Sequence, residues 1–173
     1  MAILAPFCDR IEIGGSLRRQ CHEANDVEII AMPRTREMFA WDRAVNQWPA
    51  VKGKTSGRYT QRILEGGVKL DLFMQTASTW ACNLMIRTGC AEFSKSVVTH
   101  ALSINRCFHE GQLWATCGDG LVFAQERTRM IPVADERDVF EALELPWVDP
   151  HLRIARVEDC IPRPRRRATG ARR

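Results

Sequence analysis

The sequence contains no apolar run approaching the roughly 20 residues of a membrane-spanning helix. Its first residues, Met1 to Pro6, carry neither the charged start nor the long apolar stretch of a secretory leader. These absences lead us to expect a soluble, cytoplasmic chain with no membrane partner. No C-x-x-C pair occurs among the seven cysteines, Cys8, Cys21, Cys82, Cys90, Cys107, Cys117 and Cys160. Free, buried thiols in a reducing compartment are therefore expected in preference to a zinc or disulfide framework. The four histidines, His22, His100, His109 and His151, form no catalytic constellation and are read as surface or packing residues. There is no internal repeat. At 173 residues the chain is long enough for one domain with a substantial core or for two small lobes, and too short for a large multidomain enzyme.

What is present is unevenly distributed. The net charge is +4, yet residues 162–173 (PRPRRRATGARR) hold six arginines and no acid, which leaves about −2 on everything before them. A segment of Pro, Gly and Arg has no apolar surface to bury, so it is expected to be a disordered basic tail. Such a tail neutralises phosphates without reading sequence; the alternative is a solvated end of no consequence.

The chemistry concentrates near the start. Arg10-Ile11-Glu12-Ile13 alternates like a strand and runs into Gly14-Gly15-Ser16-Leu17-Arg18-Arg19. Two adjacent glycines allow a tight turn and a close approach of backbone to ligand, so that Ser16 and the following amides can face an anion, with Arg18 and Arg19 adding charge. Asp26-Val27-Glu28 then opens an apolar run ending at Pro33. On a strand, residues i and i+2 share a face, so Asp26 and Glu28 project side by side and suit a divalent cation. With only about ten residues between them, these two strands are expected to pair antiparallel.

Further along, Ile3, Leu4 and Phe7 form an apolar lead-in behind the first strand. Met38, Trp41, Val45 and Trp48 mark one face of a helix over 37–48, with the aromatics in the core. Lys52 to Gly57 is polar and read as flexible. A hairpin follows, Arg58 to Leu64, the turn Glu65-Gly66-Gly67, then Val68 to Met74. In its second arm Asp71 is an acid among Leu70, Leu72 and Phe73, on one face with Lys69, and it is expected to lie across from the Asp26/Glu28 strand, where cross-strand side chains approach within about 5 Å. Three acids there would repel one another unless a cation sits between them. From Ala77 the pattern turns helical. Thr79 reads as the N-cap of a helix over 80–87, and Phe93, Val97, Val98 and Ala101 stripe a second over 91–104. Short strands with turns at Glu110-Gly111 and Gly118-Asp119-Gly120 are expected over 106–125. A last helix over 139–143 opens at Asp135 to Asp138 and stops at Pro146.

These pieces resemble the family X DNA polymerases of the nucleotidyltransferase superfamily. Gly15-Ser16-x-Arg18-Arg19, Asp26-x-Glu28 and Lys69-Leu70-Asp71 are similar to that family's palm motifs. Thr88-Gly89 followed by Ala91-Glu92-Phe93 is similar to the segment opening its thumb, and Asp138-Val139-Phe140-Glu141-Ala142-Leu143 through Pro146-Trp147-Val148 to its closing signature. The resemblance implies an α+β chain: a nucleotidyltransferase palm with a mixed, largely antiparallel sheet (1–76), a small α/β thumb (77–161) and the basic tail (162–173), without the lyase, helix-hairpin-helix and finger elements of larger relatives. It implies Asp26, Glu28 and Asp71 as catalytic ligands of two Mg²⁺ ions, with Mn²⁺ as a substitute. A nucleoside triphosphate would be held by Gly14, Gly15, Ser16, Arg19, Asn25, Arg87, Thr88 and Gly89, and DNA by Lys69 and Lys95, to which the composition of the tail adds Arg163, Arg165, Arg166 and Arg167 as expected DNA contacts. Asp71 would bridge to the primer 3′-hydroxyl, with Lys69 beside it.

The sequence departs from the family pattern where Glu28 replaces a second aspartate, Asn25 a glycine, and Ile86-Arg87 an aromatic pair. The last change predicts weaker exclusion of ribonucleotides or an Arg87 contact to template or triphosphate. The expected activity is transfer of a nucleotide from a dNTP to a DNA 3′-hydroxyl in short-gap repair. The alternatives are the same chemistry on an RNA end, protein or small molecule, and an inactive nucleic-acid-binding scaffold.

Overall fold

A computed structural model describes residues 1–116 and 128–161. The Gly118-Asp119-Gly120 turn, the basic tail and its Arg163, Arg165, Arg166 and Arg167 lie outside the described residues. The chain runs β1 (Cys8–Ile13), α1 (Gly15–Arg18), β2 (Asp26–Pro33), α2 (Met38–Val45), β3 (Ala50–Gly53), β4 (Tyr59–Ile63) and β5 (Lys69–Met74) in its first half. The second half contains α3 (Trp80–Thr88), α4 (Ala91–Ser103), β6 (Arg106–His109), β7 (Gln112–Thr116), β8 (Thr128–Ile131), α5 (Glu136–Ala142) and α6 (Val157–Cys160). It is a mixed α+β protein, and no helix among the described residues is long and apolar enough to cross a membrane.

The five-stranded sheet has the order β1-β2-β5-β4-β3. β1 pairs antiparallel with β2 and β4 antiparallel with β5, as the short connections require, whereas β2 and β5 run parallel. Alternation along these strands gives the sheet two faces. On one, Ile29, Ala31, Leu70 and Leu72 pack beneath Trp41, Ala44 and Val45 of α2 together with Leu4, forming the first core. On the other, Ile30 and Phe73 meet Trp80 and Leu84 of α3. A separate cluster, including Met85, Phe93, Val97, Phe140 and Leu143, builds the second half around α3, α4 and α5. The antiparallel sheet β6-β7-β8 completes that half.

Two strands differ from expectation. All four residues of β3 are exposed, so no hydrophobic alternation marks it; it is an edge strand held by its ladder to β4 and occupies the start of the segment read as flexible. β8 lies beyond the span assigned to strands, and its Arg129 and Met130 are exposed. Local details shift as well. Thr79 precedes α3 without capping it through its side chain, because its hydroxyl accepts from the Thr76 amide at 3.0 Å. The helix after the glycines begins at Gly15 rather than Leu17. Asp135 and Asp138 do cap α5 reciprocally, each side chain accepting a backbone amide of the other's turn.

Candidate active site

The parallel register of β2 and β5 sets Glu28 beside Asp71 and Asp26 beside Lys69. All four therefore point to the face of the sheet that α3 only partly covers. Glu28 and Asp71 line a cleft of about 770 Å³ together with Tyr59, Phe73 and Arg87, and Glu110 and Gly111 of the β6–β7 turn line it as well. Asp26, at the mouth of β2, belongs to the same electrostatic field. Burial pushes the Glu28 carboxyl above its ordinary range, Asp26 and Asp71 push it further, and Arg87 and Arg19 pull it back.

Asp71 is oriented by the antiparallel neighbour strand. Tyr59 donates its hydroxyl to Asp71 Oδ1 at 2.7 Å, and the Gln61 side-chain amide donates to the same oxygen at 2.7 Å. Both bonds fall on one oxygen, which leaves Oδ2 to the cleft. Tyr59 stacks on Phe73 with ring centroids 5.0 Å apart. Its phenol is pushed up to about 12, by burial first and by the bond to Asp71 second. Sequence reasoning missed Tyr59 and Gln61, although a signal existed: a hairpin turning at Glu65–Gly67 sets Gln61 opposite Asp71.

The glycine turn has an additional role. Gly15 has φ +58°, and a Cβ there would lie 1.8 Å from Glu28 Oε2; a Cβ on Gly14 would lie 2.5 Å from Ile30 Cδ1. The two glycines therefore make room for the Glu28 carboxylate and for the core beneath it. The Gly14 amide also donates to the Glu28 carbonyl at 2.8 Å. Ser16 is half-buried in the following turn and Asn25 is exposed ahead of β2.

The arginines of the motif diverge. Arg18 turns inward and donates to both oxygens of Glu136, at 2.9 and 2.6 Å, and to the Thr88 hydroxyl at 2.6 Å. Arg19 donates to the Thr88 carbonyl at 2.8 Å and keeps a buried Nε with no partner. Thr88 is buried and donates its own hydroxyl to the Leu84 carbonyl at 2.6 Å. Gly89 is close to Phe93, whose Cδ1 would meet a Cβ at 2.4 Å. Thr88 and Gly89 thus serve the joint between the halves. Arg87 instead reaches the cleft, its guanidinium 4.0 Å from the Phe73 ring centroid.

Of the remaining residues expected at the site, Lys69 is exposed at the head of β5. Lys95 lies apart, in a depression on α4 shared with Glu92 and Arg156. Lys52 and Arg58 line the cleft and were not anticipated, because they lie on the edge strand and the loop leaving it. Among the described residues, no group of three His, Cys, Asp or Glu side chains is arranged to hold a metal ion. The donor set still fits divalent cations in kind: three carboxylates share one face of the sheet, and burial first, then Asp26 and Asp71, raise the Glu28 carboxyl.

Residues 83–154 match the DNA polymerase beta thumb. The match begins within α3, ahead of Arg87 and Thr88, and runs through α5 to its partner Arg153, so one wall of the cleft belongs to the matched segment. Over that segment, less than half of its length, the chain is similar to a DNA polymerase beta thumb. No curated protein matches the chain.

Proposed function

We propose that this protein is a nucleotidyltransferase that extends a DNA 3′-hydroxyl with a nucleotide from a dNTP, filling short gaps, with residues 1–76 acting as the palm and 77–161 as the thumb. The observation that carries the proposal is the in-register pair Glu28 and Asp71 on adjacent parallel strands, lining one cleft with Arg87 of the thumb-matched segment.

In this reading the triphosphate lies along the glycine turn, with Ser16 donating from its hydroxyl. Arg19, anchored on the Thr88 carbonyl, adds positive charge near the phosphates, and Arg87 swings from Phe73 to meet either the triphosphate or the template. Asp26, Glu28 and Asp71 would hold two Mg²⁺ ions, which when bound supply Lewis acidity at the attacking and leaving oxygens. Asp71, fixed through Oδ1 by Tyr59 and Gln61, presents Oδ2 towards the primer terminus and orients its hydroxyl for in-line attack on the α-phosphate. Lys69 screens the charge beside it. Lys52 and Arg58 add positive charge at the entrance, and the Arg-rich tail adds non-specific attraction to the duplex.

A second reading, a nucleic-acid-binding chain without catalysis, draws on the absence of a metal-ready carboxylate group among the described residues. Single-nucleotide extension of a gapped duplex in Mg²⁺ or Mn²⁺, run beside Asp26→Asn and Asp71→Asn, separates the two. Extension abolished by both substitutions supports transfer. No extension with DNA still bound supports the second reading, and transfer to RNA alone moves the acceptor.

A further inference from the structure

Two arginines are buried in the described structure, Arg153 and Arg62. Arg153 is completely enclosed and engaged, donating to Glu136 Oε1 at 2.5 Å and to the Val148 carbonyl at 2.9 Å. Arg62 is 5 % exposed, yet it makes no hydrogen bond or ion pair with the described residues, and its Nε is shut away without an acceptor. A buried guanidinium without an anion is costly. Its neighbours explain why a pocket persists there. Arg62 pairs in register with Leu70 and so projects to the α2 face of the sheet, opposite the Glu28/Asp71 cleft. It lines a depression of about 640 Å³ with Phe39, Asp42, Asn46, Lys54 and Ser56.

The acid in this depression is already committed. Asp42 Oδ1 accepts the buried Thr55 hydroxyl, and Oδ2 accepts the Asn46 side-chain amide at 3.3 Å. These bonds tie α2 to the β3–β4 loop, and Asp42 forms no ion pair with Arg62 there. Exposed Lys54 adds a second cation, so the lining carries a net positive charge. Phe39 is 77 % exposed at the rim, an apolar ring with no packing role.

We propose that this depression is a second binding site, for a nucleoside phosphate: the phosphate on Arg62 and Lys54, with Ser56 as a further donor, and the base on the Phe39 ring. It lies on the other face of the sheet from the catalytic cleft and does not depend on nucleotide transfer there. The group comes either from a free nucleotide or from a strand of DNA running past the β3 edge; the chemistry recognised is the same.

The test is equilibrium binding and thermal unfolding of the full chain in chelator, with inorganic phosphate, dAMP and a short oligothymidylate as probes. Arg62→Met is expected to weaken dAMP binding by roughly tenfold or more, while the free variant unfolds at or above the wild-type temperature because an unpaired buried charge has gone. Phe39→Ala is expected to remove the advantage of dAMP over inorganic phosphate, and Lys54→Gln to weaken all three probes by about threefold. An oligothymidylate affinity above that of dAMP which Arg62→Met removes assigns the site to a strand, and a dAMP affinity above that of oligothymidylate which Arg62→Met removes assigns it to a free nucleotide. Unchanged dAMP affinity in Arg62→Met overturns the proposal, as does loss of affinity on Arg87→Ala alone, which would put the probe in the cleft. Should Arg62→Met not fold, unchanged affinity in both surface variants, Lys54→Gln and Phe39→Ala, overturns it equally.

Discussion

Glu136 in the second half and Glu28 in the first are both withdrawn from solvent, but their surroundings are opposite. Glu136 receives two guanidiniums, Arg18 at 2.6 Å and Arg153 at 2.5 Å, and forms a clasp between α1 and α5. Glu28 is raised first by burial and then by the carboxylates of Asp26 and Asp71, while Arg87 and Arg19 pull it back. One acid is saturated and therefore structural. The other is left in tension with its neighbours, the arrangement that a cationic ligand relieves. Two arginines from one short motif serve both places: Arg18 closes the clasp, and Arg19, bonded to the Thr88 carbonyl, lowers the Glu28 carboxyl through its charge.

If that contrast is right, removing charge from the two places has opposite consequences. The largest effect is on activity: Asp71→Asn or Asp26→Asn should reduce nucleotide addition to background in a gapped-duplex extension assay, while the urea midpoint stays at or above that of the wild type. At the clasp the sign reverses. Glu136→Gln strands the enclosed Arg153 and should cost about 3–5 kcal/mol of stability, read from urea unfolding; a loss below about 1 kcal/mol would mean that the clasp is not what joins the halves.

Gly15→Ala tests how closely the glycine turn and Glu28 are matched. With φ at +58° and Glu28 Oε2 1.8 Å from the added methyl position, it should destabilise by about 1–3 kcal/mol and displace the Glu28 carboxylate, lowering extension as well. Wild-type extension in Gly15→Ala would show that Glu28 is free to stand elsewhere.

The smallest effect is on the pH dependence of stability. Because the folded state raises the Glu28 carboxyl above its unfolded value, the folded state binds the proton more tightly. Metal-free protein should then lose stability as pH rises from the ordinary glutamate range through the raised folded value. Glu28→Gln should flatten that slope, as measured by urea midpoints in chelator between pH 4 and neutrality. An unchanged slope in Glu28→Gln would remove Glu28 from the strained cluster.

Much of the first half was legible because the relevant signals are local. Period-2 alternation set the facing of β2 and β5, a Gly-Gly turn closed the hairpin, and short connections dictated antiparallel neighbours. Asp26, Glu28 and Asp71 were identifiable because acids are out of place in apolar strands. Other features were hidden for identifiable reasons. β3 carries no buried side chain and so leaves no hydrophobic pattern. Tyr59 and Gln61 become partners of Asp71 only through register. Arg62 reads as an ordinary strand arginine until the sheet turns it under α2. Thr88 and Gly89 were expected to touch nucleotide, but the structure uses the Thr88 hydroxyl and carbonyl to receive Arg18 and Arg19, a contact between residues some seventy positions apart.

The sequence by itself determined which segments form strands and helices in most of the chain, and which acids share a face, because both follow from backbone periodicity over a few residues. Only the tertiary structure decided which charges are spent and which remain available. Arg18 and Arg19 are adjacent and chemically identical, as are the buried guanidiniums of Arg153 and Arg62. What separates them is the distance to an acceptor brought from elsewhere in the chain, and the free energy of a buried charge depends on that distance more than on the identity of the residue.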